Sequence, residues 1–434
     1  MKALVIGSGG REHAILWALK RTSAVPLNLY CAPGNGGISE LARCIPVSVD
    51  DHASLLDFAA SNRIDLTVVG PEGPLADGIV DEFERAGLRI MGPNRAAARL
   101  ESSKAFAKEF MRRHQIPTAD FCLAHSQAEA YDALRSGKFS RADGPVVIKA
   151  DGLAAGKGVV VAGSRLEAEK AVLELLSGKL VSSAAAEQLL IEETLTGREV
   201  SVLVFSDGRD YVVMPPARDH KRIGEQDTGP NTGGMGAITD PSVVDDETLK
   251  RIQREVIEPT LVGATVDGFP FKGILFVGLM LTSDGPKVLE YNVRFGDPET
   301  QAILMRLESD LCEIFMAITN EELGKLNVKW SGLSSACVVL ASAGYPGPYE
   351  TGQRISGLKA KERNEELQVF HAGTALLENG DLVTSGGRVL GVTATDVSLE
   401  KALERCYAEV NTISWSGIHY RRDIGQFRGA STGA

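Results

Sequence analysis

Short apolar runs alternate with helix-period segments through the first hundred residues, and this alternation restricts the possible folds more than any other feature. Leu4–Ile6, Leu27–Tyr30, Leu66–Val69 and Arg89–Met91 read as strands, with helical patterns such as Glu12 to Lys20 and Ala53 to Ala60 between them. Parallel neighbours need a crossover, so the pattern predicts a doubly wound parallel sheet. Each strand runs into a glycine- or proline-bearing loop: Gly7 to Glu12, Pro33 to Gly36, Pro71 to Pro74 and Gly92 to Asn94. These loops fall at the carboxyl ends of the strands, where open α/β sheets hold ligands.

The first loop differs from a dinucleotide fingerprint. Glu12 stands where the third glycine is required, and the second strand ends without an acidic partner for a ribose. A nicotinamide oxidoreductase is therefore disfavoured. The loop reads as an anion-binding turn at a helix N-terminus, suited to a phosphorylated sugar. Gly9, Gly10, Arg11, Glu12, Gly34, Asn35, Pro71 and Glu72 are the substrate-binding candidates of this edge.

Two later stretches carry chemistry. In PKVLEYNVRFGDPETQ, Glu290 and Asn292 are two apart on an apolar strand, so both project from one face. Their oxygen atoms suit Mg²⁺, which takes few protein ligands and leaves positions for phosphate oxygens. Arg294 follows as a fixed cation for phosphate or carboxylate, on the same side if the strand stays extended. Upstream, Val146 to Val161 places Lys149, Gly152, Gly156, Lys157 and Gly158 between two β-branched runs. This reads as a hairpin whose glycines let backbone N–H groups approach phosphates. The spacing is not that of a P-loop: three residues separate Gly152 from Gly156, Gly158 follows Lys157, and a strand comes next.

Between these stretches, Ser102 opens a helix carrying Lys104 and Lys108, and Gln188 to Glu192 forms a strand. Ala217 to Gly236 reads as a long mobile polar loop of an active site. Gln301 to Thr319 reads as one long amphipathic helix, and residues past Trp330 as a separate small α+β domain.

Composition narrows the class. A chain of 434 residues fits about two to four domains. The net charge of −11 opposes general nucleic-acid or anionic-membrane binding. Six cysteines without a CxxC pair read as reduced residues of a cytoplasmic protein, and the seven histidines show no zinc spacing. The amino end is too short in its apolar part for a signal peptide, and no apolar run approaches a membrane span.

Together these loops resemble the ATP-grasp ligases, and among them the phosphoribosylamine–glycine ligase family, the glycinamide ribonucleotide synthetases. The motifs are GSGGREHA, APGNGG, VGPEGPLADGI, MGP, SSKAFAKEFM, VIKADGLAAGKGV, ARDHKR, GPNTGGMGA and LEYNVRFGDPETQ, followed by ASAGYPG, FHAGTA, LVTSGGRVLGVTA and YRRDIG. The resemblance covers nearly the whole chain. It implies an N-terminal substrate-binding α/β domain over 1–102, a central ATP-grasp domain over 103–328 with a mobile lid near 121–192, and a small α+β domain over 329–434. It also implies an ATP-dependent carboxylate–amine ligase of purine biosynthesis. Such an enzyme joins glycine to 5-phosphoribosylamine through glycyl phosphate, with Mg²⁺ or Mn²⁺.

The resemblance further implies that Lys104 and Lys149 face ATP phosphates, beside Gly156, Lys157 and Gly158. Glu192, Glu193, Thr194 and Leu195 would form the hinge that meets adenine, and Glu199 would meet the ribose. Glu290 and Asn292 match the metal ligands. Arg294, Lys149 and Asp297 are the catalytic candidates. Asp219, Lys221, Gly296, Pro298 and Glu299 complete the substrate set with Arg294 and Asp297. The chain departs from the family at the hinge, where Thr194 replaces a phenylalanine and Arg198 an acid. Another ATP-grasp ligase or carboxylase, or a non-catalytic nucleotide sensor, is the alternative. Partners are small molecules, with neither nucleic acid nor membrane, and the chain is expected to be a monomer or a weak homodimer.

Overall fold

The computed structural model describes residues 1–139, 143–153, 158–178, 188–358 and 365–426. Its first unit is a five-stranded parallel sheet in the order Arg43–Cys44, Asn28–Pro33, Lys2–Gly7, Leu66–Val69, Ile90–Met91. All four pairings are parallel. The centre strand is buried almost throughout because helices cover both faces. Only the two-residue strand Arg43–Cys44 escaped the sequence pattern, being too short to show a period.

Two antiparallel four-stranded sheets follow. One orders Phe121–Ala124, Leu189–Glu193, Val146–Ala150 and Val159–Ala162; the other orders Tyr211–Val213, Arg198–Asp207, Lys272–Thr282 and Gly285–Asn292. The expected lysine hairpin is present, with Lys149 opposite Val159. Its tip, including Gly156 and Lys157, lies outside the described residues.

The stretch 217–236 is not the open loop its glycines suggested. Arg218–Asp219 and Gly236–Thr239 are strands that extend the sheet of Ser334–Ala341, Arg388–Asp396 and Leu367–His371. Between them Arg222–Gly224 and Thr228–Asn231 form a hairpin. The last sheet is thus built from two distant parts of the chain. The single helix expected over Gln301 to Thr319 is also two, Glu299–Leu304 and Leu311–Asn320. Asp310 starts the second by accepting the N–H groups of Cys312 and Glu313. Arg306 in the break donates to Thr239 Oγ1 and to the Ser331 carbonyl. The second helix holds the units together: Ile314, Phe315 and Ile318 share one buried cluster with Val5, Val68 and Phe205.

Candidate active site

The strand Gly285–Asn292 pairs with Lys272–Thr282, and its register slips between Gly278 opposite Glu290 and Leu279 opposite Val288. Leu289 is the extra residue of a β-bulge, which takes a backbone group out of the ladder and re-aims the neighbouring side chains. Its carbonyl accepts from Lys149 Nζ at 3.2 Å. Lys149 also meets Glu192 at 2.9 Å, and Lys108 reaches the other Glu192 oxygen at 3.4 Å. One buried carboxylate therefore seats two lysines. Burial, with Lys149 close by, lowers Lys108 to about 8 despite Glu192. Lys104 donates to the Gly152 carbonyl at 2.7 Å, holding the base of the hairpin loop.

Glu290 is the focus of this charge. Burial alone would raise its pKa, yet Lys221, Lys149, Lys104 and Arg294 outweigh it and hold the carboxyl below the ordinary value. Among the described residues nothing hydrogen-bonds or ion-pairs with the Glu290 carboxylate. An ionised carboxylate without a direct partner, two residues from the amide oxygen of Asn292, is a donor set that fits a hard divalent cation. Among the described residues no cluster of three or more acidic, histidine or cysteine ligands occurs. Such a cation would take its remaining ligands from substrate and water.

The strand ends at Asn292, so Arg294 enters the site from the following turn. Its guanidinium bonds Glu72 at 3.2 Å, Glu101 at 2.9 Å and Asn292 Oδ1 at 3.1 Å. These partners join the carboxyl edge of the parallel sheet to the end of the strand Gly285–Asn292. Burial opposes the Arg294 charge, but Glu101 and Glu72 raise its pKa further. Glu101 also accepts the Val293 N–H at 2.7 Å. Burial pushes its carboxyl up to about 7 against the pull of Arg294. Sequence reading missed Glu101. The available signal was an acid in the last turn of the helix Arg95–Ser102, where the helix dipole disfavours negative charge.

Asp219 and Lys221 lie two apart on the extended segment after Ala217. Lys221 Nζ meets Glu199 at 2.8 Å. Burial raises the Asp219 pKa, with Lys221 opposing and Glu299, Glu199 and Glu290 adding to the rise. Glu299 is buried and accepts from Ser201 Oγ at 3.2 Å. Gly296 leaves room for it, since a Cβ there would stand 2.5 Å from Glu299 Oε2.

At the hinge, Glu193 is tied to the Asp120 backbone and to Lys287. Thr194 and Leu195 leave the strand. The Thr194 hydroxyl is buried without a hydrogen-bond partner among the described residues.

The amino-terminal loop is placed differently from the anion turn expected of it. Glu12 folds back to accept the Gly9 N–H at 2.6 Å and pairs with Arg11 at 2.6 Å. Arg11 extends to the Phe295 carbonyl at 3.1 Å. Both side chains are buried, so they brace the turn against the segment that follows the strand Gly285–Asn292. Asn35 likewise bridges Ser8 and His371 carbonyls at 2.8 Å each.

The open space lies beside this loop, a cavity of about 360 Å³ whose walls include Ser8, Gly9, Gly34, Asn35 and Asp297. Arg388 faces them from the last sheet, and Thr374 and Ser385 from a separate hairpin, Thr374–Leu376 with Leu382–Thr384, and the turn after it. Asp297 accepts from Gln301 at 2.8 Å and pairs with Arg388 at 3.3 Å. Pro298 follows through a cis bond and packs beside Gly234. Thr374, Ser385 and Arg388 of the carboxy-terminal wall fall within FHAGTA and LVTSGGRVLGVTA, motifs to which the sequence reading gave no site role.

Comparison with known proteins agrees with this arrangement. Models of the phosphoribosylglycinamide synthetase N domain, ATP-grasp (A) domain and C domain match residues 1–101, 102–300 and 335–427. A phosphoribosylamine–glycine ligase from Caldanaerobacter subterraneus is 47% identical over 98% of this chain and 99% of its own. One from Vibrio parahaemolyticus is 48% identical, covering 98% of each chain. The crystal structure of the Thermotoga maritima phosphoribosylamine–glycine ligase superposes with a TM-score of 0.83, at 34% identity over 98% of this chain and 100% of that one. A biotin carboxylase domain of Hydrogenobacter thermophilus 2-oxoglutarate carboxylase shares the fold alone, with a TM-score of 0.71 at 17% identity over 96% of this chain and 91% of that one. The chain belongs to the phosphoribosylglycinamide synthetase family.

Proposed function

We propose that the chain ligates glycine to 5-phosphoribosylamine with ATP, giving glycinamide ribonucleotide, ADP and phosphate in purine biosynthesis. The observation that carries this reading is the convergence of Lys104, Lys149, Lys221 and Arg294 on the Glu290 carboxylate, which has no direct partner among the described residues. A site of this kind neutralises a triphosphate, and it needs no protein nucleophile.

A free carboxylate does not acylate an amine, because oxide would have to leave. In the first step a glycine carboxylate oxygen attacks the γ-phosphorus, and the bond to the β-bridging oxygen breaks to release ADP. In the second, the phosphoribosylamine nitrogen attacks the acyl carbon, phosphate leaves and the nitrogen gives up a proton. Holding the partners in line supplies much of the acceleration.

Lys104, Lys149 and the 152–158 loop, with Gly156, Lys157 and Gly158, embrace the phosphates. Glu192, Glu193, Thr194 and Leu195 meet the base, and Glu199 the ribose. Glu290 and Asn292 would hold Mg²⁺ or Mn²⁺, which neutralises phosphate charge when bound. Arg294 grips the transferred phosphoryl group or the glycine carboxylate. Asp219, Asp297 and Glu299 orient the amines. The cavity between Gly9, Gly34, Asn35 and the 372–388 wall receives the sugar phosphate, while Gly10, Arg11 and Glu12 brace the turn behind it and Pro71 and Glu72 serve the neighbouring strand end. Residues 1–102, 103–328 with a lid near 121–192, and 329–434 act as the three functional units of a cytoplasmic enzyme that works as a monomer or a weak homodimer.

Phosphate release assayed with each substrate omitted in turn tests the reading. Turnover should require both glycine and phosphoribosylamine. Release that persists without glycine would overturn it in favour of another carboxylate.

A further inference from the structure

The segment 419–426 takes no part in the site, yet it carries a side chain of unusual burial. Arg421 is fully enclosed. Its Nε and Nη2 donate to the two Asp423 oxygens at 2.8 Å each, a bidentate fork. Its Nη1 donates to Asp227 Oδ1 at 2.8 Å and to the Arg222 carbonyl at 3.0 Å.

The neighbours of Arg421 grip the same stretch. Asp423 accepts the Gln226 N–H at 2.7 Å, and Gly425 N–H donates to His220 Nε2 at 2.9 Å. His419 Nε2 lies 2.9 Å from the Ile223 carbonyl.

Two observations give this clamp a direction. First, Gln226 and Asp227 are consecutive non-glycine residues with φ of 57° and 55°. Left-handed backbone at such residues is unfavourable and persists where surroundings over-determine it. Here Asp423 fixes the first and Arg421 the second. Second, the extended segment 219–221 alternates its faces. His220 points to the clamp, while Asp219 and Lys221 point to Glu199, Glu290 and Glu299.

We propose that Arg421 is a positioning residue: with Asp227 and Asp423 it fixes the back of the 218–231 segment, and through His220 it aims Asp219 and Lys221 at the reacting end of the site. This rests on the ligase reading for what Asp219 and Lys221 do. The placement itself rests on the contacts above.

The full chain carrying Arg421→Gln is compared with the native enzyme, with Asp219→Asn and with the double variant. The glycine KM should rise about fivefold or more in Arg421→Gln, with ATP affinity held within about twofold. The double variant should be no worse than Asp219→Asn, because the two act in series. Amide hydrogen exchange should quicken over 218–231 and stay unchanged over the strands 198–207 and 272–292. Equal losses for every substrate, or unaltered exchange over 218–231, would overturn the proposal. If Arg421→Gln does not fold, Asp423→Asn removes one arm of the fork and the same outcomes apply. Native enzyme that releases phosphate without glycine would remove the ligase reading. The exchange comparison would still decide whether the clamp exists.

Discussion

Glu290 is the residue on which the site's electrostatics turn, and Glu290→Ala should lower turnover by at least about a hundredfold. The variant's unfolding midpoint should fall at neutral pH, because the cations that hold this carboxyl below its ordinary value lose the charge that offsets them. Near-native activity would remove it from the metal site. Lys149→Ala should chiefly raise the ATP KM; a loss confined to glycine dependence would contradict a phosphate role. Glu101 makes a pH prediction. Its carboxyl sits at about 7 instead of 4.5, so between those values the folded chain keeps a proton that the unfolded chain has released. The stability this contributes is complete below 4.5 and disappears as pH rises through 7. Glu101→Gln should flatten that slope in denaturant titrations run from about pH 5 to 8. An unchanged slope would show that another group titrates there. At this scale the sequence displayed side chains that share a strand face, such as Glu290 and Asn292. It hid the partners that folding brings from afar: Glu101 and Glu72 on Arg294, Glu192 between Lys108 and Lys149.

Elements were legible where their period was long. The four main parallel strands and the lysine hairpin could be read from aliphatic runs. The strands within 217–239 could not, because Arg218–Asp219 has two residues and Gly236–Thr239 borrows its stability from Ser334–Ala341. Nor could the bulge, since PKVLEYN reads equally well as an unbroken alternation. The bulge has a testable consequence. Deleting Leu289 would close the ladder with both flanks in place, because Val288 already pairs with Leu279 and Glu290 with Gly278. Every paired side chain would keep its face, but Lys149 would lose the freed carbonyl it now binds. Such a variant should lose ligase activity even if circular dichroism shows full strand content. Retained activity would mean that Lys149 does not need the freed carbonyl.

Across the whole molecule, the sheet that runs from Arg218–Asp219 to Leu367–His371 binds the carboxy-terminal third to the centre. Removing everything from Ser334 onward would strip the partner from Gly236–Thr239 and expose an open strand edge. The truncated chain should be poorly soluble and inactive, as read by sedimentation and phosphate release. A soluble, active fragment would show that the terminal third only decorates the enzyme. This interlocking could not be read from composition, because the terminal residues are ordinary and only their pairing is informative. Its reach extends to the cavity, where Arg388 stands on Asp297 just as Arg294 stands on Glu72 and Glu101, Lys149 on Glu192, and Lys221 on Glu199. Every one of these bases is already engaged at rest, so an arriving polyanion trades places with an acid that had been satisfied. Glu101, which burial raises and Arg294 pulls down, takes up a hydrogen ion when Arg294 is drawn away. Filling this enzyme would therefore consume protons, and the heat released on mixing would vary with the ionisation enthalpy of the buffer.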